Sequence, residues 1–159
     1  MRHAKSSWDN SDLADFDRPL SDRGEAAAPF MGELIAGRGL APEEIVSSPA
    51  KRALQTATLV KESGGIEAPI RLDERIYEAG AQTLKQVASE FRDELDIMMM
   101  IGHNPGFEGF VSFLTGRQES MPTAALAVID LDIDKWSDVK NGEGDLIEVI
   151  RPKEQARNN

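Results

Sequence analysis

The sequence predicts an α/β domain of three layers, with helices on both faces of a mostly parallel sheet. Three observations carry this prediction. Short apolar stretches alternate with amphipathic helical patterns through most of the chain, the order that builds a parallel sheet. Residues 97–101 (Ile-Met-Met-Met-Ile) form a continuous apolar run between an aspartate and a glycine. That is the signature of a strand buried on both faces, and it is preferred over a methionine-rich redox or copper box. Finally, His103 and the Ser48-Pro49 pair each follow a predicted strand. Ligands in such folds bind beyond the carboxyl ends of the strands, so these residues would share one rim with His3.

Taken in order, residues 7–20 show no clean period and read as a long loop, a length more often functional than idle. Ser21 is the predicted N-cap of a helix with Asp22 and Glu25 in its first turn. Phe30, Met31, Leu34 and Ile35 recur at helical spacing, and Gly37-Arg38-Gly39 ends the pattern. Pro29 falls inside it and predicts a kink or a displaced start. Residues 44–47 are a short strand. Ser48-Pro49 then predicts a helix start, a capping hydroxyl followed by proline at the first helical position. This helix runs to about residue 62 and stops at Ser63-Gly64-Gly65. Residues 69–72 form a second strand, and residues 73–82 an acidic connection.

Residues 83–95 form an amphipathic helix with Leu84, Val87, Ala88, Phe91 and Leu95 on one face. After the methionine strand, residues 105–115 are helical, with Phe107, Phe110, Val111 and Leu114 inward. Residues 124–131 and 146–150 are the last strands, joined through residues 132–145 in a hairpin-like connection containing Asn141-Gly142. Residues 1–152 are one expected domain. Residues 153–159 are a polar tail expected to fray.

Composition narrows the function. The 159 residues are 40% hydrophobic and 29% charged, ordinary values for a soluble globular protein. There is no cysteine, so disulfides and thiolate metal sites are excluded. No apolar run approaches a membrane span and no signal-peptide core opens the chain; a cytoplasmic location is expected. The formal net charge of −10 repels a nucleic-acid backbone. A small anionic substrate would need a local arginine cluster.

The chain supplies one. Its two histidines are His3 and His103, and Arg2 flanks the first. Arg52 falls in the first turn of the second predicted helix, where free N–H groups and the helix dipole already favour an anion. An arginine there adds a bidentate fork matched to phosphate oxygens. Two arginines and two imidazoles make a cationic cup for a tetrahedral dianion. A neutral imidazole beside it can attack phosphorus, while the arginines stabilise charge on the equatorial oxygens. A general acid for the leaving group would come from Asp73, Glu74 or Glu78, or from Asp9, Asp12, Asp15 or Asp17 in the early loop. Each residue alone has a bland reading: His3 as a solvated terminal residue, Arg52 as a surface arginine, Glu78 as one acid among 28. Neither histidine has an acidic ligand motif beside it, which makes a metal-dependent hydrolase the poorer reading.

The joint pattern resembles the histidine phosphatase superfamily, the phosphoglycerate-mutase-like fold, and within it the SixA-type branch of small phosphohistidine phosphatases. The matching stretches are Arg2-His3-Ala4-Lys5-Ser6 with Trp8, Asp17-Arg18-Pro19-Leu20-Ser21-Asp22-Arg23-Gly24, and Ser47-Ser48-Pro49 leading to Arg52-Ala53 and Gln55-Thr56-Ala57. Ile76-Tyr77-Glu78-Ala79 and Gly102-His103-Asn104-Pro105 complete them. The resemblance implies that His3 is the phosphorylated nucleophile and that Arg2 and Arg52 bind the phosphoryl group. It makes His103 the second histidine of the site and Arg18 a further phosphate contact. Mutase-type relatives carry a glutamate acid in the segment matching residues 76–80, which points to Glu78. The SixA-type branch lacks the mutase pattern there, and Asp17 is the second choice. No metal or cofactor is implied. The branch also lacks a large inserted cap, so an open site would suit a phosphohistidine displayed on another protein. The alternatives are a small-molecule phosphomonoesterase and a catalytically impaired phosphate-binding module.

The chain departs from the family pattern in two places. Ala4 stands where the family usually has glycine. Family members also carry an apolar strand before the Arg-His pair, central in the sheet between the strands matching residues 97–101 and 124–131, whereas only Met1 precedes Arg2 here. Without that first central strand two ladders of backbone groups would lack partners. A start upstream of Met1 is the favoured explanation; a truncated relative, or another segment filling the gap, are the others. With Met1 as the terminus, His3 is expected to be weakly tethered.

Overall fold

The computed structural model describes residues 1–157. Strands β1 (Glu44–Ser47), β2 (Ile70–Leu72) and β3 (Met98–Ile101) form a parallel sheet in the order β2-β1-β3. Ile45 sits opposite Ile70 on one side and Met99 on the other. Strands β4 (Leu126–Leu131) and β5 (Gly144–Ile150) pair antiparallel, with a register shift between Val128 and Ile129. The helices are α1 (Asp22–Gly37), α2 (Lys51–Gly64), α3 (Ala81–Ser89), α4 (Gly106–Thr115) and α5 (Pro152–Ala156).

The alternation of side chains along a strand divides the core into the two expected sides. Ile45, Met99 and Ile101 pack with Ala28, Met31, Ile35, Ala57 and Val60 of α1 and α2. Val46, Met98 and Met100 face the other way, toward Leu84 and Val87 of α3 and Phe107 of α4. The methionine run is therefore a core strand between two helical layers.

Residues 1–3 join the two sheets. Gly102 N–H donates to the Met1 carbonyl at 3.2 Å and His3 N–H to the Gly102 carbonyl at 2.9 Å. On the other side Arg2 N–H donates to Ala125 and Ala124 N–H to His3, at 2.9 and 3.0 Å. The Met1 amine donates to the Met100 carbonyl at 2.7 Å, and burial pushes it down to about 5. Thus Met1–His3 take the end of the central position, beside the rim where β1 and β3 end. Behind Met1, a cleft of about 230 Å³ remains, walled by Met98–Met100 on one side and residues 126–130 on the other. His3 is firmly tied, contrary to expectation: its N–H and C=O are both bonded, and Ala4 N–H donates to Thr56 Oγ1 at 3.0 Å.

Several elements differ from the sequence reading in their bounds. Ser21 caps α1 as predicted, its Oγ accepting from Gly24 N–H, but the helix start is not displaced by Pro29, which lies inside it. Ser48-Pro49 do not start α2. The cap position is Ala50, and Ser48 Oγ is used elsewhere. Helix α3 begins earlier than predicted and ends at Ser89, so Phe91 and Leu95 follow it in turns. The connection from β4 to β5 contains a 3-10 turn, Trp136–Asp138, whose indole donates to the Leu95 carbonyl. Residues 152–156 are helical, so residues 153–156 of the expected tail are ordered as a helix, and Arg38 of the α1 C-cap bonds Gln155 at 2.7 Å. Asn158 and Asn159 lie outside the described residues.

Candidate active site

The parallel strands β1 and β3 end at one rim, and the segments leaving them bring Ser48, Arg52 and His103 beside His3. Gly102 is required at this junction, because a Cβ there would lie 2.5 Å from Phe107 and 2.7 Å from Ile76. Phe107 and Ile76 can therefore close on this junction, and His103 follows it directly; the His3 and His103 ring centroids are 5.0 Å apart and tilted by 54°.

Arg52 holds the cluster together from the first turn of α2. Its Nε points at His3 Nε2 at 3.4 Å, and its Nη2 lies 3.3 Å from His103 Nδ1. Nη1 donates to the Asp15 carbonyl at 2.6 Å and Nη2 to Asp15 Oδ2 at 3.0 Å. The bonding pattern assigns the tautomers. His3 Nδ1 lies 2.7 Å from the Ala4 carbonyl, which can only accept, so Nδ1 carries the proton. Nε2 then presents its lone pair toward Arg52. In His103, Nδ1 accepts from Arg52, so Nε2–H donates to Ser48 Oγ at 2.7 Å.

Electrostatics keep both rings neutral. Burial, with the charges of Arg52 and Arg2, pushes His3 down to about 3 against the opposing hydrogen bond to Ala4. Burial and Arg52 push His103 down to about 4, partly offset by Asp15. A neutral imidazole with an unprotonated Nε2 is the nucleophilic form. Asp15 is held ionised by Tyr77 and Arg52 against the opposing effect of burial. The Tyr77 hydroxyl donates to its Oδ2 at 2.7 Å, and that bond raises the phenol to about 12.

The other predicted residues are distributed as follows. Arg18 is buried, stacks 3.4 Å over the Trp8 ring, donates to Ser6 Oγ and lies 3.7 Å from Asp15. It therefore adjoins the Arg52 cluster through Asp15. Arg2 donates to the Met121 carbonyl at 3.0 Å, while its Nε is buried without a partner among the described residues. Its charge nevertheless reaches both imidazoles. Glu78 is exposed and has φ of 56°, next to Tyr77, whose ring stands edge-on to His103 at 5.5 Å. Asp17 is exposed at the end of the 3-10 turn Asp15–Asp17. Sequence reasoning missed Ser48 as a His103 partner, Tyr77 as a wall of the site, and Asp15 as the acid gripping Arg52. Tyr77 is the chain's single tyrosine, a signal in retrospect. Nothing singled out Asp15 from its neighbours in the loop.

This geometry, with an arginine bridging two neutral imidazoles at the rim of a parallel sheet, defines a phosphoryl-handling class, and comparison with known proteins agrees. The family model of the histidine phosphatase superfamily (branch 1) matches residues 1–110. An uncharacterised protein of Mycobacterium leprae is 30% identical over 166 residues, covering 96% of this chain and 100% of that one. A crystal structure from Agrobacterium tumefaciens, described as a candidate phosphohistidine phosphatase SixA, superposes with a TM-score of 0.81 at 29% identity, over 96% of this chain and 95% of that one. The protein histidine phosphatase SixA in complex with tungstate shares the fold, with a TM-score of 0.80 at 22% identity over 98% and 96% of the two chains. The chain belongs to the histidine phosphatase superfamily, in its SixA-type branch, and its α/β fold is the phosphoglycerate-mutase-like one.

Proposed function

We propose that this phosphatase works through a phosphohistidine on His3 and that its substrates are phosphohistidine-bearing proteins. The observation that carries the reading is the lock on His3: Nδ1–H fixed to Ala4 and Nε2 turned toward Arg52. In the first step the Nε2 lone pair forms the N–P bond as the bond from phosphorus to the leaving group breaks. The leaving group keeps that electron pair, and Glu78 supplies a proton where one is needed, with Asp17 the second choice for this role. Arg2, Arg52, Arg18 and His103 would bind the equatorial oxygens, where charge stabilisation is the main catalytic contribution. In the second step water attacks phosphorus, the N–P bond breaks and its pair returns to Nε2. The water's proton passes to the carboxylate left by the first step.

A protein substrate is favoured because only residues 73–80 connect β2 to α3, so no inserted domain covers the rim at that point. The test is a His3→Ala variant assayed on a phosphohistidine protein and on an aryl phosphate. Loss of both activities, and of an acid-labile phosphoenzyme, is expected; full retained turnover would exclude the mechanism. A higher kcat/KM for the aryl phosphate than for the protein would instead identify a small-molecule phosphomonoesterase. Phosphate binding without hydrolysis of either would identify an impaired binding module.

A further inference from the structure

A second concave surface adjoins the site through Arg2. It is a groove of about 810 Å³ between the start of α1, residues 122–123 and the start of α5. Arg2, Lys5, Arg23, Arg151 and Lys153 line it, and Glu154 is its single carboxylate among the described residues. Five cations against one acid stand out in a chain with 28 acidic and 18 basic side chains.

Backbone geometry builds this cluster. Ser21 N–H and Oγ both donate to the Lys5 carbonyl, at 2.8 and 3.1 Å. Gly24 lets α1 press against the same carbonyl, since a Cβ there would lie 2.2 Å from it. The first turn of α1, which carries Arg23, is thereby fixed beside Lys5, two residues from His3. Arg151 is committed to Glu119 and to the Ser120 carbonyl, both at 3.0 Å. Lys5, Arg23 and Lys153 are exposed and make no ion pair with any described residue. By contrast Arg38, Arg71, Arg75, Arg92 and Arg117 are each paired with carboxylates.

We propose that this groove docks an acidic surface of the protein substrate beside its phosphohistidine. The proposal rests on the substrate reading given above and names the partner's chemistry. An acidic partner is repelled by most of a chain of net charge −10 and attracted where unpaired cations gather, so long-range forces would orient it with this groove foremost. The groove exceeds what a phosphate group fills, and Phe30 and Pro122 add apolar lining, which fits a peptide segment better than a bare anion. Arg2 is common to the groove wall and the site, so a partner seated there stands next to His3.

The test is a triple variant, Lys5→Glu, Arg23→Glu and Lys153→Glu, none of which belongs to the phosphoryl machinery. On a phosphohistidine protein with an acidic flank, kcat/KM at low salt is expected to fall by roughly tenfold or more. Wild-type turnover is expected to slow as salt rises and that of the variant to change little. Activity on an aryl phosphate, which the groove does not engage, is expected to stay within about twofold. Equal kcat/KM of variant and wild type on the protein would overturn the proposal. Binding of a fluorescent Glu/Asp-rich dodecapeptide at low salt is measured in parallel, so the docking idea is judged even if the substrate reading fails. Peptide binding lost in the variant supports the groove. Equal binding by both proteins overturns it, as does co-sedimentation with phosphatidylserine vesicles in place of peptide binding.

Discussion

Lowering the pH from about 7 to about 5 would protonate ordinary histidines, whose pKa is about 6.5. Here both imidazoles are expected to stay neutral across that range, because burial and Arg52 hold His3 near about 3 and His103 near about 4. At about pH 5 an ordinary imidazole would be only about 3% neutral, whereas both rings of this site would be mostly neutral and His3 still competent to attack. The same displacement destabilises the fold in acid. Below about 6.5 the unfolded chain takes up protons that the native state refuses. Stability therefore falls with pH, and each ring's loss levels off once pH drops below its folded value. Between about pH 7 and about pH 5 this amounts to roughly 2 kcal/mol per imidazole as an upper figure. Having only two histidines, the chain shows two imidazole Cε1–H signals by NMR, so the titration needs no crowded spectrum. Denaturant midpoints at the two pH values supply the free energies; the buried Met1 amine, pushed down to about 5, adds a dependence of the same sign and similar size, so a His3→Gln variant should lose about a third of the total. A midpoint near 6.5 for either ring, or an unchanged denaturation midpoint between the two pH values, would refute the electrostatic account.

Replacing Arg52 by alanine removes the group that bridges His3, His103 and Asp15. A loss of about 10²–10³ in kcat is expected, the size found for one preorganised charge-stabilising donor. Lysine should not restore it, since one ammonium cannot reproduce the planar fork. Asp15→Asn frees Arg52 from a carboxylate that is half-exposed. A pair of that kind is worth up to about 1 kcal/mol, so inorganic phosphate should inhibit up to about fivefold more strongly, measured as Ki. Unchanged inhibition would show that Asp15 does not compete with the phosphate. Gly102→Ala forces a Cβ against Phe107 and Ile76; about 1–3 kcal/mol of destabilisation is expected, visible as a lowered Tm, and activity should fall with it because Gly102 tethers Met1 and His3.

The layered architecture was legible because its signals are local and repeated. The methionine strand, the strand-loop-helix order and the Ser21 cap all depend on near neighbours, and each is present. The joint pattern also pointed to His3, Arg52 and His103, which the fold brings together, whereas the Arg2 guanidinium donates to the Met121 carbonyl. Ser48 shows where local reading stops. Its sequence context is that of a helix cap, yet its hydroxyl goes to His103, which is 55 residues away. Residues 153–159 read as a fraying tail because they are polar; residues 152–156 are nevertheless helical, and a bond from Arg38, at the far end of α1, to Gln155 helps hold them.

The sequence by itself determined the alternation of strands and helices, the two helical layers and the set of residues proposed to handle phosphate, because hydrophobic period and residue chemistry are properties of neighbouring positions. Only the tertiary structure decided the state of those residues. Burial sets both imidazoles neutral, the Ala4 carbonyl selects the His3 tautomer, and Asp15 rather than any other loop acid meets Arg52. It also decided that Met1–His3 are bonded on both sides and that Lys5, Arg23 and Lys153 share one groove. These outcomes depend on desolvation and on contacts between distant segments, which no local pattern encodes.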